Sequence, residues 1–490
     1  MSKGNINDLP REVLEDVFRY LDGKNMKNAT LTCKWWKELI EFACRWSLEL
    51  DYSDKARFLR KDTSYDTDHK INFILTTKRK FGTIRIIGGH LTEHTQIQEL
   101  FRTHGFCVVK LCLLFCSIDN VVAFAELLNA TPNLKHAVMM NVHSVRDEQL
   151  GGVSPDLKKL KTLEMSDVQD HRIFECFKNA KLTTIKIWEE EPSQHLGALE
   201  NFLSSQDMLT SLNVHWSCRI LAEMGKLEVP VPFRLRRLSI SDLYLRNTPI
   251  DQHHLMTFIQ SQAELLEEME IGFGIPPLVY EYVFTRMKKL NTLKLEVGPI
   301  PHDPDFYDQL PENGSVRALN LLDNELNEIK FVSLANFVKK LPGVRSLIVP
   351  FAKFYASKNA LIAMAQNLSH VESLSIGTVN ENSVDFVKFP HLKTLHIQLL
   401  RVKVDWNVFS KNHPRLAELS IEEMEKSYFT SDDIDRITTN VDLRIIRLGA
   451  GFVADNRFFE IIRAKCANLN VLDLHESCIP HGLKAIKAIE

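Results

Sequence analysis

One spacing of apolar residues recurs along most of the chain. The template apolar-x-x-apolar-x-apolar returns sixteen times: FGTIRI at 81, VVKLCL at 108, LKHAVM at 134, LKTLEM at 160, LTTIKI at 182, LTSLNV at 209, LRRLSI at 235, LEEMEI at 266, LNTLKL at 290, VRALNL at 316, VRSLIV at 344, VESLSI at 371, LKTLHI at 392, LAELSI at 416, LRIIRL at 443 and LNVLDL at 469. RWSLEL at 45 is a weaker match that would start the array. Alternating apolar positions predict a short strand with one face toward a core. Between the strands, FVSLANFVKKL (331–341), ALIAMAQNL (360–368) and FFEIIRAKCANL (458–469) carry helical spacing.

The mean step is about 26 residues, inside the 20–29-residue period of leucine-rich repeats. Strand followed by helix, many times over, predicts an α/β fold: a curved solenoid over 81–490 of about 16 repeats, with strands on the concave side. Residues 51–70, DYSDKARFLRKDTSYDTDHK, are charged and out of phase, so 47–80 is expected to be a connector or an irregular first repeat. The array runs to HGLKAIKAIE shortly after the last template match, with no long cap expected.

Residues 5–46 follow a different rule and predict three short helices. The first runs from Pro10 to about Tyr20, with proline tolerated at a helix start because its missing N–H would be unpaired there. Val13, Leu14, Val17, Phe18 and Leu21 form its apolar stripe, and Asp22-Gly23 ends it. Met26 and Ala29 mark a second helix; Trp35, Trp36, Leu39, Ile40 and Phe42 mark a third. Trp36 is expected in the core, and the adjacent Trp35 must then point elsewhere, against the first repeats. About 40 residues is near the lower limit for an independent domain. Three helices this short cannot cover Leu9, Leu14, Phe18, Leu21, Trp35, Trp36 and Ile40 together, so part of that surface must meet a partner.

Residues 6–42, INDLPREVLEDVFRYLDGKNMKNATLTCKWWKELIEF, resemble an F-box. The match rests on Leu9-Pro10, Glu12, Val13-Leu14, Val17-Phe18, Leu21-Asp22, Met26, Ala29, Leu31, Cys33, Trp36 and Leu39; Thr32 stands where the family usually has valine. With the repeats, the chain resembles the F-box/leucine-rich-repeat family. The resemblance implies that the F-box docks on the S-phase kinase-associated adaptor of a cullin-RING ubiquitin ligase. The repeats would hold a protein substrate. Leu9, Pro10, Leu14, Phe18 and Leu21 would be the adaptor contacts, unless they are only the small domain's own core. The implied role is a non-catalytic substrate receptor, not an enzyme. The alternative is an interaction scaffold with no role in ubiquitylation.

Composition changes this picture little. The chain has 490 residues, 44% hydrophobic and 25% charged, with formal net charge -3 at pH 7. That gives no electrostatic ground for nucleic acid or an anionic membrane as partner. No stretch reaches the roughly 18–20 apolar residues of a membrane helix, and MSKGNINDLP lacks the apolar core of a secretory signal. Nine scattered cysteines, an odd number, point to free thiols in the cytoplasm, the nucleus or both.

Candidate chemistry is sparse, and no cofactor or metal is expected. HLTEH at 90–94 has the H-x-x-E-H form of an inverted zinc-protease motif, and a helix would place both histidines as ligands. It offers no third ligand, so a solvated repeat helix is expected. Cys107, Cys112 and Cys116 lack paired Cys-x-x-Cys spacing and read as repeat core. Lys78-Arg79-Lys80 and His253-His254 read as surface. The phasing puts Trp188, His215, Trp216, Phe273 and Phe351 on or beside the concave face, the residue types that interfaces concentrate and so candidates for substrate binding. Toward the C-terminus, Glu418, Glu422, Asp473 and Glu476, with His396, Arg447 and His475, would make a mixed-charge rim.

Overall fold

The computed structural model describes residues 6, 9–21, 23–43, 45–52, 71–72, 74–77, 79–92, 95–118, 120–144, 155–168, 172–188, 196–215, 218–227, 230–241, 252–272, 275–296, 304–322, 328–349, 358–379, 388–425 and 428–475. The chain forms two compact units, Met1–Leu235 and Arg236–Glu490.

The first unit opens with three helices, α1 (Arg11–Arg19), α2 (Gly23–Thr30) and α3 (Lys34–Ala43). Pro10 caps α1 in an extended conformation, and its carbonyl accepts from the N–H groups of Val13 and Leu14. Leu14, Phe18, Met26, Ala29, Leu39 and Ile40 form the core of this helical unit, with Leu21, Trp36 and Trp46 packed against it. Phe18 meets Trp36 edge to face, with centroids 5.0 Å apart. Each fully buried side chain of this size contributes roughly 1.5–3 kcal/mol, which is how so few residues hold three helices together.

A parallel ladder follows directly. Its strands in the first unit are β1 (Arg45–Asp51), β2 (Lys80–Ile87), β3 (Lys110–Leu114), β4 (His136–Met140), β5 (Thr162–Ser166), β6 (Thr184–Trp188) and β7 (Ser211–His215). Each pairs in parallel register with the next, β1 with β2 through Leu48↔Ile84 and β6 with β7 through Ile185↔Leu212. The RWSLEL match is therefore a ladder strand, immediately after the helices. Asp51 ends β1, Tyr52 N–H donates to Ile87 O at 2.7 Å, and residues 53–70 lie outside the described residues.

The second unit repeats the plan with β8 (Arg237–Ile240), β9 (Glu268–Ile271), β10 (Thr292–Leu295), β11 (Ala318–Leu321), β12 (Ser346–Val349), β13 (Ser373–Val379), β14 (Thr394–Leu400), β15 (Glu418–Met424), β16 (Ile445–Ala450) and β17 (Val471–Leu474). Every template match in the sequence lies on one of β2 to β17. Through β2 to β16 the apolar template positions are buried and the residues between them largely half-exposed, as in Ser-Leu-Asn-Val-His of β7, whereas those of β17 are half-buried. Helices such as Thr95–His104 and Val121–Asn129 in the first unit, and Glu328–Lys339, Lys358–Asn367 and Asn456–Lys465 in the second, alternate with the strands. The helical stretches read from the sequence thus fall on helices. Aromatic residues fill the second core: Phe337 lies edge-on to Tyr280, Phe284 and Tyr307, and Trp406 to Phe409 and Phe429.

Candidate functional site

The five residues read as adaptor contacts separate in space. Leu14 and Phe18 are fully buried in the helical core, and Leu21 packs partly against it. Leu9 and Pro10 are exposed. The outward face of α1 is nevertheless apolar: Val13 and Val17, one turn apart, are 44% and 40% exposed, and Tyr20 is 90% exposed. Ile6 and Leu9 extend this patch, and Leu31 and Trp35 are further exposed apolar residues of the unit. The sequence marks one broad stripe on α1. Packing by α3 divides it, with the 14/18/21 line inward and the 13/17/20 line outward, as 3.6 residues per turn requires.

Trp46, the second residue of β1, joins the helices to the repeats. It packs on the helical core, and the Arg79 guanidinium lies 4.5 Å from its ring centroid. Arg79 Nε also donates to Glu41 of α3 at 3.3 Å. Two expectations are corrected here. Trp35 remains surface-exposed, so the residue linking helices to strands is Trp46. Arg79 is not solvated charge: its ring contact and ion pair tie α3 to the ladder, because the parallel register sets Lys80, the residue after it, beside Arg45 at the start of β1.

On the ladder face opposite the core, Trp188 and His215 occupy equivalent positions of neighbouring strands and stack at 6.2 Å with rings 13° apart. Lys186 Nζ lies 5.9 Å from the Trp188 ring and 2.9 Å from Glu164. Trp216, Phe273 and Phe351 lie outside the described residues. In the second unit the open face carries paired charges. Lys294 lies 2.6 Å from Glu268 and 3.7 Å from Glu270. Arg447 pairs with Glu418, and His396 Nε2 is 3.4 Å from Glu422. Asp473 lines up with Arg447, and Glu476 is outside the described residues. Burial lowers the Lys294 pKa, but Glu268 and Glu270 outweigh it and the group ends above its ordinary value. Exposed pairs of this kind contribute about 0–1 kcal/mol each.

HLTEH does not continue a helix at its described end. His90 forms an isolated strand bridge to Ser117, and His90 Nδ1 and Ser117 Oγ share a 2.7 Å hydrogen bond. Leu91 is buried, and the next described helix begins at Thr95; Glu93 and His94 lie outside the described residues. The expected solvated helix is thus a turn over His90–Thr92. Of the three clustered cysteines, Cys116 is buried and its Sγ points at the carbonyls of Leu114, Gly88 and Ile86; burial pushes its thiol up to about 12. Cys107 and Cys112 are half-buried free thiols. Among the described residues no cluster of His, Cys, Asp and Glu could hold a metal ion, and no helix is long and apolar enough to cross a membrane.

Comparison with known proteins places the N-terminal unit. Residues 6–45 match the F-box-like family model. No curated protein matches the chain. Among solved structures, it is similar to TLR13 in its complex with ssRNA13, at 16% identity and TM-score 0.42, covering 88% of this chain and 55% of that one. The chain thus spans about half of that protein's length. An internalin from Listeria monocytogenes, at 13% identity and TM-score 0.31, covers 84% of this chain and 94% of its own. The leucine-rich-repeat-containing protein LegL7 from Legionella pneumophila, at 15% identity and TM-score 0.36, covers 64% and 92%. At these scores the repeat assignment rests on the chain's own periodic parallel ladder. An F-box-like helical unit at residues 6–45 thus runs directly into a parallel ladder of strand-and-helix repeats with leucine-rich-repeat spacing.

Proposed function

We propose that the protein is the substrate-recognition subunit of an SCF-type cullin-RING ubiquitin ligase. The F-box-like unit, within 5–46, docks on the S-phase kinase-associated adaptor and through it on the cullin. The repeats, from β1 onward, hold the target, with Trp188 and His215 at the start of the target surface. The observation that carries this reading is the apolar face of α1, Val13, Val17 and Tyr20 beside Leu9, left uncovered while the core beneath it is complete. An apolar patch on a surface helix beside a finished core is an interaction site. Leu14 and Phe18 serve that face by holding α1 in place. The receptor supplies no reacting group: it raises the effective concentration of target lysine near the conjugating enzyme's thioester.

The test is co-purification of the full chain with the adaptor and cullin, comparing wild type with Val13→Asp/Val17→Asp. Both positions are exposed, so the variant keeps its fold, checked by circular dichroism, while a charge in the docking face cannot be buried cheaply. Wild-type capture of both proteins with loss in the variant is expected. Equal capture by the two chains would sink the docking reading. Adaptor captured without cullin would make the protein a scaffold with no role in ubiquitylation.

A further inference from the structure

The strand-entry edge of the first unit carries an uncompensated row of lysines. Lys110 and Lys135 stand at the starts of the third and fourth repeat strands, β3 and β4, Lys159 and Lys161 before β5, and Lys181 before β6; all five are exposed. The register sets Lys135 directly beside Lys161, with Lys110 one position further along, level with His136 and Thr162. Lys135 N–H donates to Val109 O at 2.8 Å, and Lys161 N–H donates to Lys135 O at 3.0 Å, so Lys135 and Lys161 are direct neighbours on adjacent strands. Like charges so placed are destabilising unless something neutralises them.

Nothing in the chain does so among the described residues. The carboxylates nearby are taken: Asp156 by Lys158 at 2.6 Å, Glu175 by Lys178 at 3.5 Å and Glu164 by Lys186 at 2.9 Å. Asp207, at the start of the following repeat, pairs with none of the five. Two of the five ammonium groups settle on neutral acceptors instead: Lys159 Nζ donates to Asn133 Oδ1 at 2.6 Å, and Lys161 Nζ to Lys181 O at 3.4 Å. Apolar side chains mark the two ends of the row. Phe106, before β3, is 70% exposed, and Met208, before β7, is 49% exposed.

We propose that this edge binds an acidic, extended peptide segment with an apolar residue at each end. Parallel strands lie about 4.8 Å apart, so the edge from β3 to β7 spans roughly 19 Å, the length of about six extended residues. The row contains no arginine, whose planar fork suits phosphate; lysine is a compact point charge that a run of carboxylates matches. Single-stranded nucleic acid needs a series of aromatic platforms, and among the described residues the edge exposes only the Phe106 ring and the His136 imidazole. The inference rests on reading the repeats as a protein-binding array. It does not depend on adaptor docking.

The test is a direct titration of the full chain, without adaptor. The probe is a fluorescein-labelled peptide of six glutamates with a leucine at each end, followed by anisotropy. The comparators are the same peptide with glutamines and a single-stranded oligonucleotide of equal charge. Saturable binding of the glutamate peptide is expected, weakened about tenfold in Lys135→Gln/Lys159→Gln/Lys161→Gln and further by Phe106→Ser. Lys158→Gln/Lys178→Gln/Lys226→Gln, which removes lysines already paired within the chain, Lys226 with Glu223 at 2.9 Å, should change it less than twofold. Equal weakening in the two triple variants, no saturable peptide binding, or tighter binding of the oligonucleotide would each overturn the proposal. All the substituted side chains are exposed, and unchanged thermal melts verify the fold. Loss of adaptor capture would leave this titration unaffected, so the two readings fail separately.

Discussion

The backbone N–H of Phe389 donates to Nε2 of His413 across 3.2 Å, in the core of the second unit. The other ring nitrogen, Nδ1, donates to Phe409 O at 2.7 Å. A ring that accepts at Nε2 must be neutral, and burial lowers its pKa to about 4. The unfolded chain binds this proton near pH 6.5, so it takes up protons first as pH falls. The stability from His413 is complete above about pH 6.5 and is lost progressively down to about 4. Roughly 2 kcal/mol should disappear between pH 7 and pH 5. Hydrogen exchange of the 406–416 segment checks it: protection should fall over that range and should fall less in His413→Phe.

Gly451 should not tolerate a side chain. Its φ is +96°, and an added Cβ would collide with the Met424 carbonyl of β15. Gly451→Ala should cost about 1–3 kcal/mol in denaturant unfolding. Gly197, in the helix Leu196–Ser204, has open space around it, and Gly197→Ala should gain up to about 1 kcal/mol. Two equal melting curves would refute the contrast.

The two faces of α1 should separate in stability measurements. Phe18→Ala removes a ring buried against Trp36 and should cost about 3–5 kcal/mol, enough to unfold the helical unit. Tyr20→Ala should leave the thermal midpoint within a degree or so, because surface changes stay within about 0.5 kcal/mol.

Thiol labelling should follow burial. Cys33 is exposed, so iodoacetamide should modify it in the native protein. Cys116, buried with its thiol raised to about 12, should react only after denaturation. Mass mapping of native and denatured samples reads this directly, and native labelling of Cys116 would contradict the packing.

Arg79→Ala should loosen the junction between helices and ladder. It removes both the contact with the Trp46 ring and the ion pair with Glu41. The expected loss is about 1 kcal/mol, seen as faster hydrogen exchange in α3 with β3 to β7 unchanged.

The repeat strands were legible in the sequence because a period-2 strand buried on one face leaves the same apolar spacing in every repeat. Leu111 and Leu113, Leu293 and Leu295, Ile446 and Leu448 follow one rule. The F-box-like helices were legible for a similar reason: a short unit with a six-residue core has little freedom in where Leu14, Phe18 and Ile40 stand. Tertiary structure decided which apolar residues stay outside. Val13 and Leu14 are neighbours of like chemistry, and only the position of α3 sends one outward and the other in. Arg79 over Trp46, and Lys135 beside Lys161, join residues about 26–33 apart in sequence, and the pairings follow from the fold's register rather than from any local pattern. Burial of apolar surface depends on local periodicity and can be read along the chain, whereas surface chemistry depends on which repeats become neighbours, and that is set only when the ladder closes.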